Sequence, residues 1–429
     1  MNSSRLVLIL LPVLLLSFFF GASGALAHGR PPQVLGIHPH PREADLLLAT
    51  TTFGLLLSRD GGQNWSWICR EALGLDHDED PALAWSGERT ILAATLAGLR
   101  RGSEYGCYWR RDPGLLRDAV VVDVERHPRM SDSAFAVATT SSGDNALFRS
   151  DEEGVDWRRV GSPDASVLYD SLALGQNAAD HIYLSRAPQG TSALSASLDR
   201  SEDAGLQWQG GGKVDLLSGE RALEVALVLP GAGKSLLLRT RGDEVDRLFR
   251  SDDGGVQIQA LPSSWGRKVL GLSLDGEGRL WIASDTGLWV STSGGESFEM
   301  RQAPKARCVA WTEDALWICG DESQSASILR SRDGGNTWEP SLSLSQIRGI
   351  VACPSESSLP STCGGELQQL VSLLGLDPDV LSTTLPAGTG LAGGALGCDL
   401  SPARGARPPL LLGLLLLLLV LRRRRNASL

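Results

Sequence analysis

Methionine (3), tyrosine (4) and histidine (6) are scarce in this chain of 429 residues, and a cationic surplus is missing: 40 Lys and Arg stand against 50 Asp and Glu, a formal charge of −10. Binding to nucleic acid needs a basic face that neutralises phosphates, so that class of partner is excluded. No P-loop, HExxH zinc helix, nucleophile elbow or dinucleotide fingerprint occurs anywhere. Ligand spacing of the EF-hand type is also lacking. No metal or cofactor is therefore expected. Long apolar runs are confined to the two ends of the chain.

The first of these runs, Leu6 to Phe20, follows Arg5 and leads through small residues to Ala25-Leu26-Ala27. A basic start, a short apolar stretch and an A-x-A site make a secretory signal, expected to span residues 1–27. Export permits disulfides, and there are seven cysteines. Cys308 and Cys319 flank the turn Thr312-Glu313-Asp314-Ala315, so closing that hairpin brings them opposite each other. Cys353 and Cys363 bracket a Ser/Pro loop, and Cys69 and Cys107 lie near the ends of two successive repeats; each is expected to pair locally. Cys398 is left over.

The body is repetitive. Ser58-Arg59-Asp60-Gly61-Gly62-Gln63-Asn64-Trp65 returns almost intact at Ser331 to Trp338, with Asp333 and Gly335, and at Ser201 to Trp208, with Asp203 and Gly205. Four weaker copies follow from those templates. Ser150, Glu152, Gly154 and Trp157 form one; Gly102, Glu104, Gly106 and Trp109 another. Ser251, Asp253 and Gly255 lose the Trp to Ile258, and Ser291, Ser293, Gly295 and Phe298 complete the set. Seven copies at a period of roughly 40–50 residues, each with four short apolar strands around it, predict an all-β, seven-bladed β-propeller of four-stranded antiparallel blades over residues 33–353. Within a hairpin between the third and fourth strands, the fifth-position Gly permits positive φ, the Asp carboxylate accepts turn N–H groups and the Trp anchors the packing. Every residue of the box thus has a structural task, and Trp65, Trp208 and Trp338 are expected to be buried. Ile347 to Cys353 has the pattern of a further first strand, which predicts an overlapping closure or a partial eighth blade.

These boxes resemble the Asp-box, or BNR, repeats of sialidases, sortilin-type receptors, bacterial endoglucanases and photosystem II assembly-factor-like proteins. The resemblance covers residues 33 to 350 and implies a propeller without implying one activity. It also implies that the boxes sit on blade turns away from any chemistry.

Beyond Cys363 the composition shifts. Glu366 to Leu376 reads as a short amphipathic helix within a linker, 354–397, which becomes rich in Gly, Thr and Pro. Gly397-Cys398 comes next, then the apolar run Leu410 to Leu421 and Arg422, Arg423, Arg424 and Arg425. As a helix that run is only about 18 Å long, against about 30 Å of hydrocarbon. Gly-Cys, a short leucine-rich helix and an arginine cluster resemble the MYXO-CTERM sorting signal of myxobacteria and their relatives. The resemblance implies membrane insertion of 398–429, cutting near Cys398 by a sorting protease, and delivery to the outer surface.

Other candidates carry less. His38-Pro39-His40 and His127-Pro128 fall at the same turn of two repeats and read as turn chemistry. Asp76-His77-Asp78-Glu79-Asp80, with Asp243, Glu244, Asp246, Asp321 and Glu322, places acidic loops on the face opposite the boxes. A calcium ion or a basic partner fits such loops, but solvated loop charge explains them as well. Sialidase chemistry needs a Tyr nucleophile, and of Tyr105, Tyr108, Tyr169 and Tyr183 the first two lie inside a box. A pair of acids for ordinary glycoside hydrolysis has no sequence spacing by which to find it. The expectation is a non-enzymatic propeller that binds an extracellular protein or glycan, with a glycan-processing hydrolase on the same fold as the alternative.

Overall fold

The computed structural model describes residues 30–75, 79–140, 142–161, 164–178, 180–189 and 194–380. The signal segment, Asp76 to Asp78, and the tail with Cys398, Leu410 to Leu421 and Arg422 to Arg425 lie outside them. No helix among the described residues is long and apolar enough to cross a membrane.

Seven four-stranded antiparallel sheets follow one another along the chain, each with its strands in sequence order. They span 34–69, 82–111, 120–161, 169–215, 220–260, 269–301 and 308–342. Contacts between neighbouring blades are made chiefly by their first strands, which places those strands around the central axis. The middle strands are buried almost throughout, as in Leu47–Thr51 and Leu280–Ser284, because each blade is covered on both faces. The seven-bladed propeller expected from the repeat is thus the fold.

Each box forms the turn between third and fourth strands, and the hydrogen bonds follow the sequence. Ser58 Oγ accepts the N–H of Gly62 at 2.9 Å and donates to Asp60. The Asp60 carboxylate accepts from the N–H groups of Gln63 and Asn64. The same arrangement recurs around Ser201 and Asp203, Ser251 and Asp253, and Ser331 and Asp333. At Ser291 the serine bond to Gly295 survives, and Ser293 Oγ replaces the carboxylate by accepting from the N–H of Ser297. Ser150 keeps its bond to Gly154, whereas Glu152 has a longer stem and does not close the turn. Glu104 pairs with Arg89 instead.

The fifth-position glycine has a second purpose beyond its positive φ. A Cβ on Gly62 would come within 2.6 Å of the Trp317 ring in the last blade, and one on Gly154 within 2.4 Å of Leu92 in the blade before it. The box turn is therefore pressed against the preceding blade at a distance only a glycine permits. An arginine immediately before the next box reinforces this seam. Arg101, Arg250 and Arg330 donate to the fourth-position carbonyls of Glu153, Gly294 and Gly61 in the following blade, and Arg200 does so to the carbonyls of Asp253 and Gly254. The pattern is visible in the sequence as Arg preceding the box in five repeats, once its purpose is known.

The tryptophans divide. Trp65 is buried at the seam between first and last blades, and Trp157 is also buried. Trp208 and Trp338, expected to be buried, are only half-buried, as are Trp109 and Phe298, because the outermost strand has no neighbour beyond it.

Closure differs from the expectation. Ile347 to Cys353 forms neither a first strand nor an eighth blade. Residues 348–351 run parallel to the outer strand of blade 1, Ser66–Cys69, through Arg348 N–H to Trp65 O, Trp67 N–H to Gly349 O and Val351 N–H to Trp67 O. This covers an otherwise open sheet edge. The chain then enters helix α2 (Leu359–Leu374), longer than the helix expected at 366–376, which buries Leu359, Cys363, Leu367 and Leu370 as one stripe against blade 1 and the short helix α1 (Arg70–Leu73). Pro360 stands in its first turn and Gly375 ends it at φ 64°.

Two of the three expected cystines are corrected accordingly. Cys308 and Cys319 pair as expected, being opposite each other in the hairpin. Cys69 bonds Cys363 rather than Cys107, and Cys107 bonds Cys353 rather than leaving it to Cys363. The local pairings fail because residues after 347 return across the first two blades, which no spacing in the sequence reveals.

Candidate functional site

All seven first strands run toward the box face, where each turns back into its second strand. At that mouth the channel widens into a funnel of about 360 Å³ lined by Ile37, His38, Pro39, Pro41, Leu83, Trp85, Glu125, Arg126, Pro128, Gln176, Leu272, Val309 and Trp311, among others. A further hollow beside it shares Pro39, Pro41 and Trp311 and adds His40, Arg42 and Glu313. The walls set the aromatic and aliphatic groups of Trp85, Trp311, Leu83, Leu272 and Val309 beside the polar His38, Glu125, Arg126, Gln176 and Ser273, so apolar and polar surface face the same hollow.

Deeper groups come from Val120–Arg126 and Tyr169–Leu174, the first strands of blades 3 and 4, and from the strand Glu220–Val228 in blade 5. Asp123 and Glu125 are two residues apart on one strand and so share a side of it. Asp123 receives the N–H of Leu172 at 3.0 Å from the next blade, and that of Val124. Ser171 repeats this staple one blade on by accepting the N–H of Val225. Asp170 sits at a bulge in its strand, with one carboxylate oxygen buried and unpartnered. Glu224 binds Arg239 at 2.6 Å and Arg241 at 2.5 Å, which hold it below the usual carboxylate range.

Burial pushes the other three carboxyls up: Asp123 to about 7, with Glu224 adding to it; Glu125 to about 8, with Asp123 adding to it; and Asp170 to about 6, again helped by Glu224. The strands enclose these groups on all sides, although the channel itself leaves them partly accessible. His38 is held neutral by the same enclosure, with its pKa lowered to about 4.

The expected candidates sort simply around this channel. His40 Nδ1 accepts the N–H groups of Arg42 and Glu43, and His127 Nδ1 those of Arg129 and Met130, so both histidines shape the turn between first and second strands. The described acidic residues of the loops on the opposite face are paired off, Asp76 and Asp78 lying outside the described residues. Asp80 binds Arg30, Glu79 accepts the N–H of Leu96, Asp243 meets Arg221, Glu244 meets Arg267, and Asp246 meets Lys268. Asp321 meets Arg307, and Glu322 meets Ser327. No group of His, Cys, Asp or Glu that could hold a metal ion occurs among the described residues. The box residues lie in turns on the funnel face but do not line the funnel.

What sequence reasoning missed are Asp123, Glu125, Asp170, Trp85 and Trp311. A signal existed for the first two: Val120-Val121-Val122-Asp123-Val124-Glu125 interrupts a first strand that is otherwise apolar.

The raised carboxyls predict a pH dependence. Unfolded, these acids titrate near 4; folded, Asp123 and Glu125 do so near 7 and 8. Through these acids the folded chain holds more protons between those limits, while His38, His40 and His127, lowered by burial, hold fewer below about 6.5. The acids act unopposed from about 6.5 to 8, where stability falls as pH rises. Glu366 of α2, pushed up to about 7 by burial and by Glu71 of α1, adds to the same trend. Melting midpoints at pH 7 and pH 9, above the range in which the histidines titrate, should converge in the variant Asp123→Asn, Glu125→Gln, Glu366→Gln; an unchanged profile there contradicts the assignment.

The sequence matches no protein-family profile and no curated relative. Among solved structures it is similar to an ancestral GH74 enzyme, at 16% identity and TM-score 0.53, over 73% of this chain and 47% of that one. It is also similar to the extracellular domain of the B. thetaiotaomicron one component system BT4673, at 14% identity and TM-score 0.47, over 67% and 37% of the two chains. A third similarity is to YCF48 bound to D1 peptide, at 16% identity and TM-score 0.38, over 62% and 73%. The chain spans about half the length of the GH74 enzyme, and at 16% identity the feature it shares with that enzyme is the fold alone.

Proposed function

We propose that this chain is a non-enzymatic binding propeller displayed at the cell surface, with the box-face funnel as its ligand site and an extracellular protein or glycan as its partner. The observation that carries this reading is the funnel: a concave site in which Trp85, Trp311 and three prolines stand beside His38, Glu125, Arg126 and Gln176. Among the described residues, the acidic side chains of the opposite-face loops are paired within the fold. The box turns, read as Asp-boxes, serve the seams between blades. Three cystines suit an oxidising compartment, as a signal segment at 1–27 requires.

The tail supplies the address. The last described residue, Val380, lies beside Gln63, Asn64 and Trp65 at the seam of blades 1 and 7, so the linker leaves from the rim of the box face. On this reading 398–429 inserts in the membrane, is cut near Cys398 by a sorting protease, and loses Arg422 to Arg425. Cys398→Ala should leave the propeller folded and the full tail attached. Intact mass of surface-extracted wild-type protein checks this; a mass that includes Leu429 leaves a plain tail anchor in place of sorting.

The binding reading is tested by comparing wild type with Trp311→Ala on a glycan array and in cross-linking on intact cells. Binding that depends on Trp311 supports it, and identical binding removes the funnel from consideration. A second reading, a glycan-processing hydrolase on the same fold, is favoured by the raised Glu125 and Asp123, since a proton held near neutrality suits a general acid. Release of reducing ends from oligosaccharides, abolished in Glu125→Gln, would establish that reading instead.

A further inference from the structure

The channel carboxyls are unequally served. Glu224 has two guanidinium partners and Asp123 two N–H donors. Glu125, at the floor of the funnel, has no hydrogen-bond or ion-pair partner among the described residues, and Asp123 is the one charged group acting on it. A carboxyl enclosed by protein without a partner is costly when charged, and it avoids that cost by keeping its proton. A cation brought from outside would offset the cost directly.

The surroundings decide which cation. His38 does not compete, because it is neutral in its enclosure. Arg126 lines the rim, where its charged neighbours are Arg42 and Asp132 rather than Glu125. The same funnel is lined by Trp85, Trp311, Pro39, Leu272 and Val309, which suit a methylene stem and whose indole rings favour a passing positive charge, together with the uncharged polar Gln176 and Ser273. We infer that the funnel takes a primary ammonium group on an aliphatic stem, with Glu125 as its counter-ion. The inference rests on the funnel being the binding site.

The exchange balances: the ammonium keeps its three protons, the Glu125 carboxyl loses one to the buffer, and a carboxylate–ammonium pair results. Two sources carry this chemistry, a free linear amine and a lysine side chain of a partner protein.

The test uses the full chain, calorimetrically titrated with 1,5-diaminopentane, with Nα-acetyl-lysine N-methylamide and with 1-pentanol, in phosphate and in Tris. Amine binding should tighten by at least about tenfold from pH 6 to pH 9, where the amine remains charged. Heats in the two buffers should differ by close to one released proton at pH 7. Glu125→Gln, which mimics the protonated carboxyl in shape, should weaken amine binding by about tenfold or more while keeping the wild-type melting midpoint at pH 5. Binding of the lysine amide alone assigns the site to a partner's side chain; binding of both amines admits a free ligand. Amine affinity that ignores pH, or survives in Glu125→Gln, or is matched by pentanol, overturns the inference. So does the absence of amine binding. If neutral oligosaccharides bind in a Trp311-dependent way while amines do not, the funnel stands as a binding site and only the ammonium assignment falls.

Discussion

Replacing Cys353 or Cys363 alone by alanine is expected to cost about 4 kcal/mol of stability, and replacing both costs more than either. The cystines Cys69–Cys363 and Cys107–Cys353 close loops of 294 and 246 residues, the longest constraints in the molecule. They are nested, however. Once either has formed, the other closes a remainder of roughly 50 residues between the first two blades and the tail, which by the logarithmic dependence on loop length still removes about 4 kcal/mol of chain entropy. The second bridge therefore adds to the first, though by less than it would alone. The Cys308–Cys319 hairpin bond, separated by 11 residues, is independent of both. Denaturant unfolding of the two single variants, the double variant and a Cys308→Ala, Cys319→Ala control checks this. Single variants that each cost as much as the double variant would show that neither bridge contributes without the other.

Trp65→Ala should be nearly as damaging, at about 3–5 kcal/mol, the range for a fully enclosed aromatic. Trp65 lies where the ring closes, in a core that joins the first blade, the last blade and the returning tail. Its indole N–H reaches Ser341, whose hydroxyl in turn donates to Gly62 O. The same substitution at Trp338 or Trp208 should cost less than half as much, since both rings are already partly in water. Equal melting-temperature losses at all three positions would contradict this ranking.

The propeller was legible in the sequence because its signal is repeated. Ser, Asp and Gly of the box act through local hydrogen bonds, so each copy announces its own turn, and seven copies at one period announce the ring. Four strands accompany each box, as the short apolar runs around it predict. What happens once in the chain was not legible. The return of Ile347 to Val351 onto blade 1 depends on an edge that exists only after the ring has formed. Gly364-Gly365 within α2 argues locally against a helix and is overridden by the buried stripe and the Cys69 bond. The half-exposed Trp338 shares its local sequence with buried Trp65; only the tail lying over blade 1 separates them. Glu125 and Trp311 are far apart in the chain and meet only through the seven-fold arrangement of first strands, so the candidate site had no local signature.

The clasp also bears on how the chain must mature. Cys69 and Cys107 are made early and stand near each other, whereas their proper partners are among the last parts of the domain to emerge. An oxidant acting during synthesis or translocation meets Cys69 and Cys107 first and can join them, the same local pairing that spacing alone suggests. That premature bond must be reopened by a thiolate before Cys363 and Cys353 can be accommodated. Maturation should thus be limited by disulfide reshuffling rather than by blade formation, and the yield of active protein should follow the supply of a disulfide isomerase in the host more closely than it follows temperature or expression rate.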